Sequence, residues 1–252
     1  MAWDSEQYLK FAAERKQPCL DLIARLEGRY SHILDLGCGP GNSTINLKDK
    51  FPNAEIIGFD SDDDMIKRAR TDHPEILFIK GAAPQDLKRL TDKFDLVFSN
   101  ACLQWIDDQG AVIDEVSSLL DNGGTFAAQV PIKDQSMFYN AFETLLDGKW
   151  KRLNNVRNWN NIGSESYYNL LIKHFSKVTI FRTDYYHIID SKDMVIEWYK
   201  GSGLRPYLSV LSNEEQAEFI TDLTAKINDT YPTLADGKTF LVMPRLFFIA
   251  EK

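Results

Sequence analysis

Cysteine is scarce in this chain of 252 residues: Cys19, Cys38 and Cys102 are odd in number, widely scattered and in no C-x-x-C or His–Cys cluster. A disulfide scaffold and a cysteine-based zinc site are both excluded, and no metal is expected. No apolar run approaches the roughly 18 residues of a membrane span, and no charged segment followed by an apolar signal core opens the sequence. A cytoplasmic protein without a membrane partner is the expectation. Basic charge is also short: 29 Lys and Arg stand against 37 Asp and Glu, a formal net charge of −8. That balance lacks the basic footprint selected by phosphate backbones, so nucleic acid is not an expected partner. Repeats and low-complexity tracts are missing too, and nothing suggests more than a monomer. What remains is 44% hydrophobic and 26% charged, enough to bury the core of one large α/β domain.

Apolar positions at helical intervals from Trp3 to Leu26 predict a helical leader within residues 1–30. The short runs "HILDL", "AEIIGFD", "EILFIK", "FDLVFSNA" and "GTFAAQV" then alternate with segments reading as helices over Asn42 to Lys50, Asp62 to Arg70 and Asp108 to Leu120. Such alternation predicts a doubly wound, mostly parallel sheet with helices on both faces, its core in residues 31–130. From Pro131 to Ile162 the alternation stops, and a loop or lid is expected. Two long strand candidates, Lys177 to Ile189 and Lys238 to Lys252, suggest an antiparallel edge in residues 131–252. Between them two helices form a plausible cap near residues 191–235, the second opening with Ser212 and Glu215 spaced as a capping box.

The densest chemical signal is "ILDLGCGPGNST", residues 33 to 44. A strand runs into Gly37, Gly39 and Gly41 and then into a helix starting near Asn42. Glycine there allows positive φ and lets a ligand touch the main chain, while the helix start offers N–H groups. A nicotinamide-dehydrogenase loop would also be followed by an acid about 20 residues on, the place of Asp60. The run G-C-G-P-G-N-S-T departs from that dinucleotide fingerprint, however. Asp35, two residues ahead of Gly37, would repel a pyrophosphate but suits a ligand carrying an ammonium or sulfonium charge. Asp60 can accept from both hydroxyls of a ribose; a helix cap is the plainer reading, since "DSDDDM" holds several.

With Asp35, Gly37, Gly39 and Gly41 forming D-x-G-x-G-x-G, the chain resembles the class I S-adenosylmethionine-dependent methyltransferases from Ser31 to Val130. The resemblance implies a Rossmann-like seven-stranded fold and S-adenosylmethionine as cofactor. Asp35, Gly37, Cys38, Gly39, Gly41, Asn42, Ser43, Asp60, Ser61, Met65 and Asn100 would form the cofactor shell. The family's third strand often ends in an acid for the adenine amino group; here Gly81, Ala82 and Ala83 stand there, leaving main chain, Gln85 or Asp86. Cys38 reads as a small filler rather than a nucleophile.

Just past the fourth strand come Asn100, Leu103, Gln104 and Trp105, where open α/β sheets collect ligands; Trp105 fits core packing equally well. A carboxylate, with pKa near 4, is ionised at neutral pH and can attack a sulfonium methyl with no general base. Arg15, Arg182, Arg205 and Arg245 are candidate carboxylate clamps, and two such contacts could separate a tricarboxylate from a neutral analogue by roughly two to four decades. "YLKFAAERKQP", "NACLQWI", "TDYYHII", "GSGLRPYL" and "PRLFFIAEK" further resemble the branch of the class that esterifies polycarboxylic acids such as trans-aconitate. That resemblance implies a small polycarboxylate substrate and a site shell from Tyr8, Arg15, Tyr185, Tyr186, His187, Arg205 and Arg245, which Gln104 and Trp105 of the rim join as catalytic candidates. Because Tyr185 and Tyr186 alternate along a strand, at most one faces a site. Another small-molecule acceptor, or a cofactor-binding protein without turnover, stay open as alternatives.

Overall fold

The structure is a computed structural model that describes residues 12–252 other than 135, 157, 161 and 202, with side chains described from residue 16 onward. The chain divides into two compact units. One comprises Gln17–Pro131, Asn160–Thr183 and Arg245–Lys252, and the other, among the described residues, 12–16, Ile132–Trp159 and Asp184–Pro244.

α1 (Ala12–Ala24), which enters the first unit at Gln17, leads into β1 (His32–Leu36), α2 (Asn42–Lys50), β2 (Glu55–Asp60), α3 (Asp63–Asp72), β3 (Leu77–Lys80), β4 (Phe94–Asn100), α4 (Gln109–Leu119) and β5 (Leu120–Pro131). After α6 (Gly163–Leu171), the long strands β6 (Lys177–Ile189) and β7 (Thr239–Glu251) complete a seven-stranded sheet of order β3-β2-β1-β4-β5-β7-β6. β1 pairs in parallel with both β2 and β4, β2 with β3 and β4 with β5, whereas β7 runs antiparallel to β5. The α/β class, the parallel core and the antiparallel edge are those expected from the sequence. Ile33, Leu34, Leu96, Val97, Phe98, Phe126, Ala127 and Ala128 are completely buried. Helices cover both sheet faces, which is why these strands read as continuous apolar runs rather than as alternation. Each Ile, Leu, Val or Phe side chain among them contributes about 1.5 to 3 kcal/mol.

Chain order moves outward from β1 to β3 and then crosses back to β4, so the direction of winding reverses between β1 and β4. In open α/β sheets ligands gather beyond the carboxyl strand ends at such a reversal, which makes the side chains at the ends of β1 and β4 candidates for a site.

The second unit contains α5 (Met137–Leu146), α7 (Asp193–Lys200), the short α8 (Arg205–Leu208) and α9 (Asn213–Thr230). α5 occupies a segment expected to be a loop. Its apolar positions Phe138, Ala141, Phe142 and Leu145 do keep helical spacing and are buried, and Ser136 caps its N-terminus by accepting from Tyr139 N. The periodicity is hidden in sequence by the polar run that follows it. Phe142 and Trp150 both meet Phe219 of α9 edge-on, at centroid distances of 6.1 and 5.1 Å. The Trp150 indole donates to Asp222 Oδ2 at 2.8 Å. Among the described residues no helix is long and apolar enough to cross a membrane.

The capping box is present in full: Glu215 N donates to Ser212 Oγ at 3.2 Å and Ser212 N to Glu215 Oε2 at 2.9 Å. Ser212→Ala is expected to cost about 1 kcal/mol, read as a lower urea midpoint with an unchanged slope.

Candidate active site

Asp35 is fully buried at the end of β1. Its Oδ2 accepts from Ser43 Oγ at 2.7 Å and Thr44 Oγ1 at 2.6 Å, both on the first turn of α2. Oδ1 is buried and has no hydrogen-bond partner among the described residues. Burial pushes this carboxyl up to about 6, against the two hydroxyl hydrogen bonds that favour its charge, with the nearby Asp60 pushing the same way as burial. A buried carboxylate with one empty oxygen invites a cation.

The glycine loop between β1 and α2 is not an anion cradle. Gly37 N and Cys38 N donate to Phe59 O, Gly39 N to Asp60 Oδ2 and Gly41 N to Cys38 O. These amides are spent inside the protein, which removes the donors a pyrophosphate would need. The glycines also differ in what lies beside them. A Cβ on Gly37, at φ +79°, would fall 2.3 Å from the Cys102 side chain, and one on Gly41 would fall 2.8 Å from His73. Beside Gly39, at φ +55°, no described residue lies within 4 Å. Among the described residues, protein therefore presses on two of the three and leaves space over Gly39.

At the tip of β2, Asp60 accepts from Gly39 N through Oδ2 and from Asp62 N through Oδ1, both at 2.9 Å. The helix cap of α3 is Asp62, which accepts from Asp64 N and Met65 N, so the capping role falls two residues beyond Asp60. Each Asp60 oxygen keeps a lone pair for a further donor. Ser61 is exposed and Met65 half-buried on the same turn. In the loop after β3, Asp86 accepts from Ala82 N and pairs with Arg89. Its side chain thus shapes that loop, whereas Gln85 is exposed.

β4 ends at Asn100, whose Oδ1 is buried without a partner among the described residues. Ala101 follows at φ +53°, an uncommon conformation for a residue with a side chain. Its N–H donates to Gln129 O and its carbonyl accepts from Gln104 Nε2. That turn sends Cys102 back onto Gly37. Burial pushes the Cys102 thiol up to about 12, and the Cys38 thiol upward as well, so neither supplies a thiolate at neutral pH. Trp105 is 52% exposed, while Leu103 and Gln104 are buried.

Strand register places further groups. Gly58 pairs with Asp35, Asp35 with Phe98, Asn100 with Gln129, and Pro131 with Arg245. Paired residues and those two apart share a sheet face. Asp60, Asp35, Asn100, Gln129 and Arg245 accordingly line one face at the carboxyl ends of β2, β1, β4 and β5 and the facing start of β7 in this unit. Gln129 is a residue that sequence reasoning missed: its Nε2 is buried with no partner among the described residues. A lone glutamine in "FAAQV" was its one signal. Asn42 is exposed at the α2 start, and Ser43 is committed to Asp35.

Within the second unit, His187 stacks on Trp198 at a centroid distance of 5.3 Å, and Tyr186, 62% exposed, meets Phe240 edge-on. Tyr185 and His187 are half-buried and alternate with Tyr186. Arg205 opens α8, half-buried. Arg182, also half-buried, belongs to the first unit. Tyr8 and the side chain of Arg15 lie outside the described residues.

A family model described as a methyltransferase domain matches residues 33–124. Along its whole length the chain is 39% identical to trans-aconitate 2-methyltransferase of Agrobacterium fabrum, over 257 residues and 100% of both proteins. The chain belongs to the trans-aconitate 2-methyltransferase family. The Azoarcus relative of the same name is 35% identical over 256 residues, 99% of each chain. Among solved structures, the YcgJ protein from Bacillus subtilis has a TM-score of 0.61 at 17% identity, covering 94% of this chain and 98% of that one. Phosphoethanolamine N-methyltransferase 2 of Haemonchus contortus, in complex with phosphomonomethylethanolamine and S-adenosylhomocysteine, scores 0.57 at 16% identity, covering 94% and 52%. These two share the fold. In this trans-aconitate 2-methyltransferase family member, the family model covers β1 through the start of β5, the strands whose tips carry Asp35, Asp60 and Asn100.

Because the Asp35 carboxyl stands higher in the folded protein than at its ordinary value of 3.8, its stabilising share is complete below pH 4 and is lost as pH rises towards 6. Asp35→Asn is expected to raise stability at pH 8 by on the order of 1–3 kcal/mol, with the gain vanishing at pH 4. Urea unfolding of both proteins at the two pH values checks it; a variant equally destabilised at both would contradict the buried-charge account.

Proposed function

We propose that the chain transfers a methyl group from S-adenosylmethionine to a carboxylate of trans-aconitate, or of a closely related polycarboxylic acid, giving a methyl ester and S-adenosylhomocysteine. The observation that carries the cofactor half is the Asp35 carboxylate, buried with one oxygen empty; the family supplies the acceptor half. When bound, S-adenosylmethionine supplies a methyl on positively charged sulfur, which a carboxylate oxygen takes while the sulfur keeps the electron pair of the broken bond.

The chain's own residues fit that ligand. Asp60, fixed by two backbone N–H groups, retains acceptor capacity for vicinal ribose hydroxyls. Asp35 answers an ammonium, the open side of Gly39 admits the ligand against the main chain, and Asn100 offers an unpartnered carbonyl. Arg245, on the same sheet face, is the proposed partner of an acceptor carboxylate, in the bidentate manner that guanidinium allows. Arg205, with Tyr8, Arg15, Tyr185 and His187, remains proposed for the acceptor side on sequence grounds, and Gln104 and Trp105 for its rim. The acceptor is already an anion at neutral pH, so no residue has to remove a proton. Catalysis then consists of alignment and of excluding water from two charges that cancel as the methyl moves. A scattered, odd cysteine complement suits action in a reducing cytoplasm, and a monomer suffices for this chemistry.

Labelled-methyl transfer to a panel of mono-, di- and tricarboxylic acids tests the reading. A base-labile ester on trans-aconitate is expected; transfer to an amine or hydroxyl acceptor alone would overturn it. Asp60→Ala is expected to weaken S-adenosylhomocysteine binding about 10- to 100-fold by calorimetry, and Arg245→Ala to lower kcat/KM for the tricarboxylate by a similar factor.

A further inference from the structure

Tyr167 of α6 lies with its ring tilted against Phe248 at a centroid distance of 5.3 Å, and its hydroxyl donates to Gln109 Oε1 at the start of α4. Gln109 Nε2 in turn donates to Asn160 O at 3.1 Å. Asn160 N donates to Gln104 O at 2.7 Å, and Gln104 Nε2 to Ala101 O at the same distance. An unbroken hydrogen-bonded relay therefore runs from α6 to the turn after β4. All of its members belong to the first unit, and Gln104, Gln109 and Tyr167 are buried. Burial pushes the Tyr167 phenol up, so it stays a donor at neutral pH.

The far end of the relay is a strained residue. Ala101, at φ +53°, occupies the left-handed region, where a Cβ crowds the following carbonyl. Such a conformation persists only where the surroundings impose it. Ala101 N donates to Gln129 O at 2.8 Å and its carbonyl accepts from Gln104, so both of its main-chain polar groups are held. A buried polar chain of this kind rigidifies one geometry when its links are made. That geometry sets the neighbours of Ala101: Asn100 on one side and, on the other, Cys102, seated against Gly37.

We propose that Tyr167 is a positioning residue for cofactor binding: through Gln109, Asn160 and Gln104 it holds Ala101 left-handed and so fixes Asn100 where S-adenosylmethionine meets it. This rests on the reading above that Asn100 contacts the cofactor. The effect of Tyr167 passes entirely through the turn, with no bond made or broken.

Two substitutions cut the relay. Tyr167→Phe keeps the ring and removes the hydroxyl, and Gln109→Met keeps the volume and removes both links. Each is made in the wild-type chain and in Ala101→Gly, because glycine takes φ +53° without the Cβ penalty. Calorimetry gives Kd for S-adenosylhomocysteine, steady-state kinetics give KM for S-adenosylmethionine, and urea unfolding reports the fold. In the wild-type background each substitution is expected to weaken S-adenosylhomocysteine about three- to tenfold and to raise the cofactor KM by a similar factor. In the Ala101→Gly background the same substitution is expected to change Kd less than about twofold, although the urea midpoint falls in both. A tyrosine that merely supports the fold would lower affinity alike in both backgrounds. Unchanged affinity in both relay variants, an equal loss in the two backgrounds, or failure of both variants to fold overturns the proposal. Asn100→Ala, measured alongside, separates the two claims. Weakened binding in Asn100→Ala together with a background-independent Tyr167→Phe overturns this proposal alone. An Asn100→Ala that binds S-adenosylhomocysteine as wild type does overturns the reading on Asn100 and the proposal with it.

Discussion

The buried Asp35 carboxylate, held by Ser43 and Thr44, ties the end of β1 to the first turn of α2 across the glycine loop. Everything at this end of the sheet depends on that tie. It fixes how tightly the loop turns, and Gly37 then lies so close to Cys102 that no side chain fits between them. The contact carries the β1 loop onto the turn after β4. Asp60, by accepting from Gly39 N, joins the tip of β2 to the same loop. Three strand ends are thereby braced by one acid apiece or by one glycine. The brace costs stability, because a full negative charge in this setting lacks water and has only two hydroxyls for company. A buried charge held at such a cost marks a candidate binding position.

The sheet topology decides where that ligand can go. Winding reverses between β1 and β4, and three polar groups without hydrogen-bond partners among the described residues, Asp35 Oδ1, Asn100 Oδ1 and Gln129 Nε2, stand on strands at or beside the reversal. Most of the other buried positions on these strands are apolar. On the proposed reading, a cation-bearing nucleoside meets the acids of β2 and β1, and a carboxylate meets the Arg245 guanidinium of β7. Internal consumption of the loop amides excludes the alternative of a pyrophosphate, which an aspartate-led glycine loop had already disfavoured.

Much of this was legible in the residues. D-x-G-x-G-x-G with an acid at the next strand tip gave the crevice and its charge, and α2 and β6 have the bounds read from periodicity. Local signals sufficed there because turn chemistry, capping and burial on both faces act over a few residues. The Ser212 capping box was readable for the same reason. Other features depend on distant partners. That Gly37 and Gly41 are pressed by Cys102 and His73, while Gly39 is open, follows from tertiary contacts between positions far apart in sequence. Gln129 carries no motif. It is a single polar residue in an apolar stretch of strand. α5 went unread because its aromatic period is short and ends in a polar stretch without regular spacing.

The most direct test of the central claim is the titration of the Asp35 carboxyl carbon by NMR, with and without saturating S-adenosylhomocysteine. The protein alone should titrate at about 6, and the bound form should fall by about 1 to 3 as an ammonium meets the empty oxygen. Binding that leaves the Asp35 titration where it was, or raises it, would contradict the account.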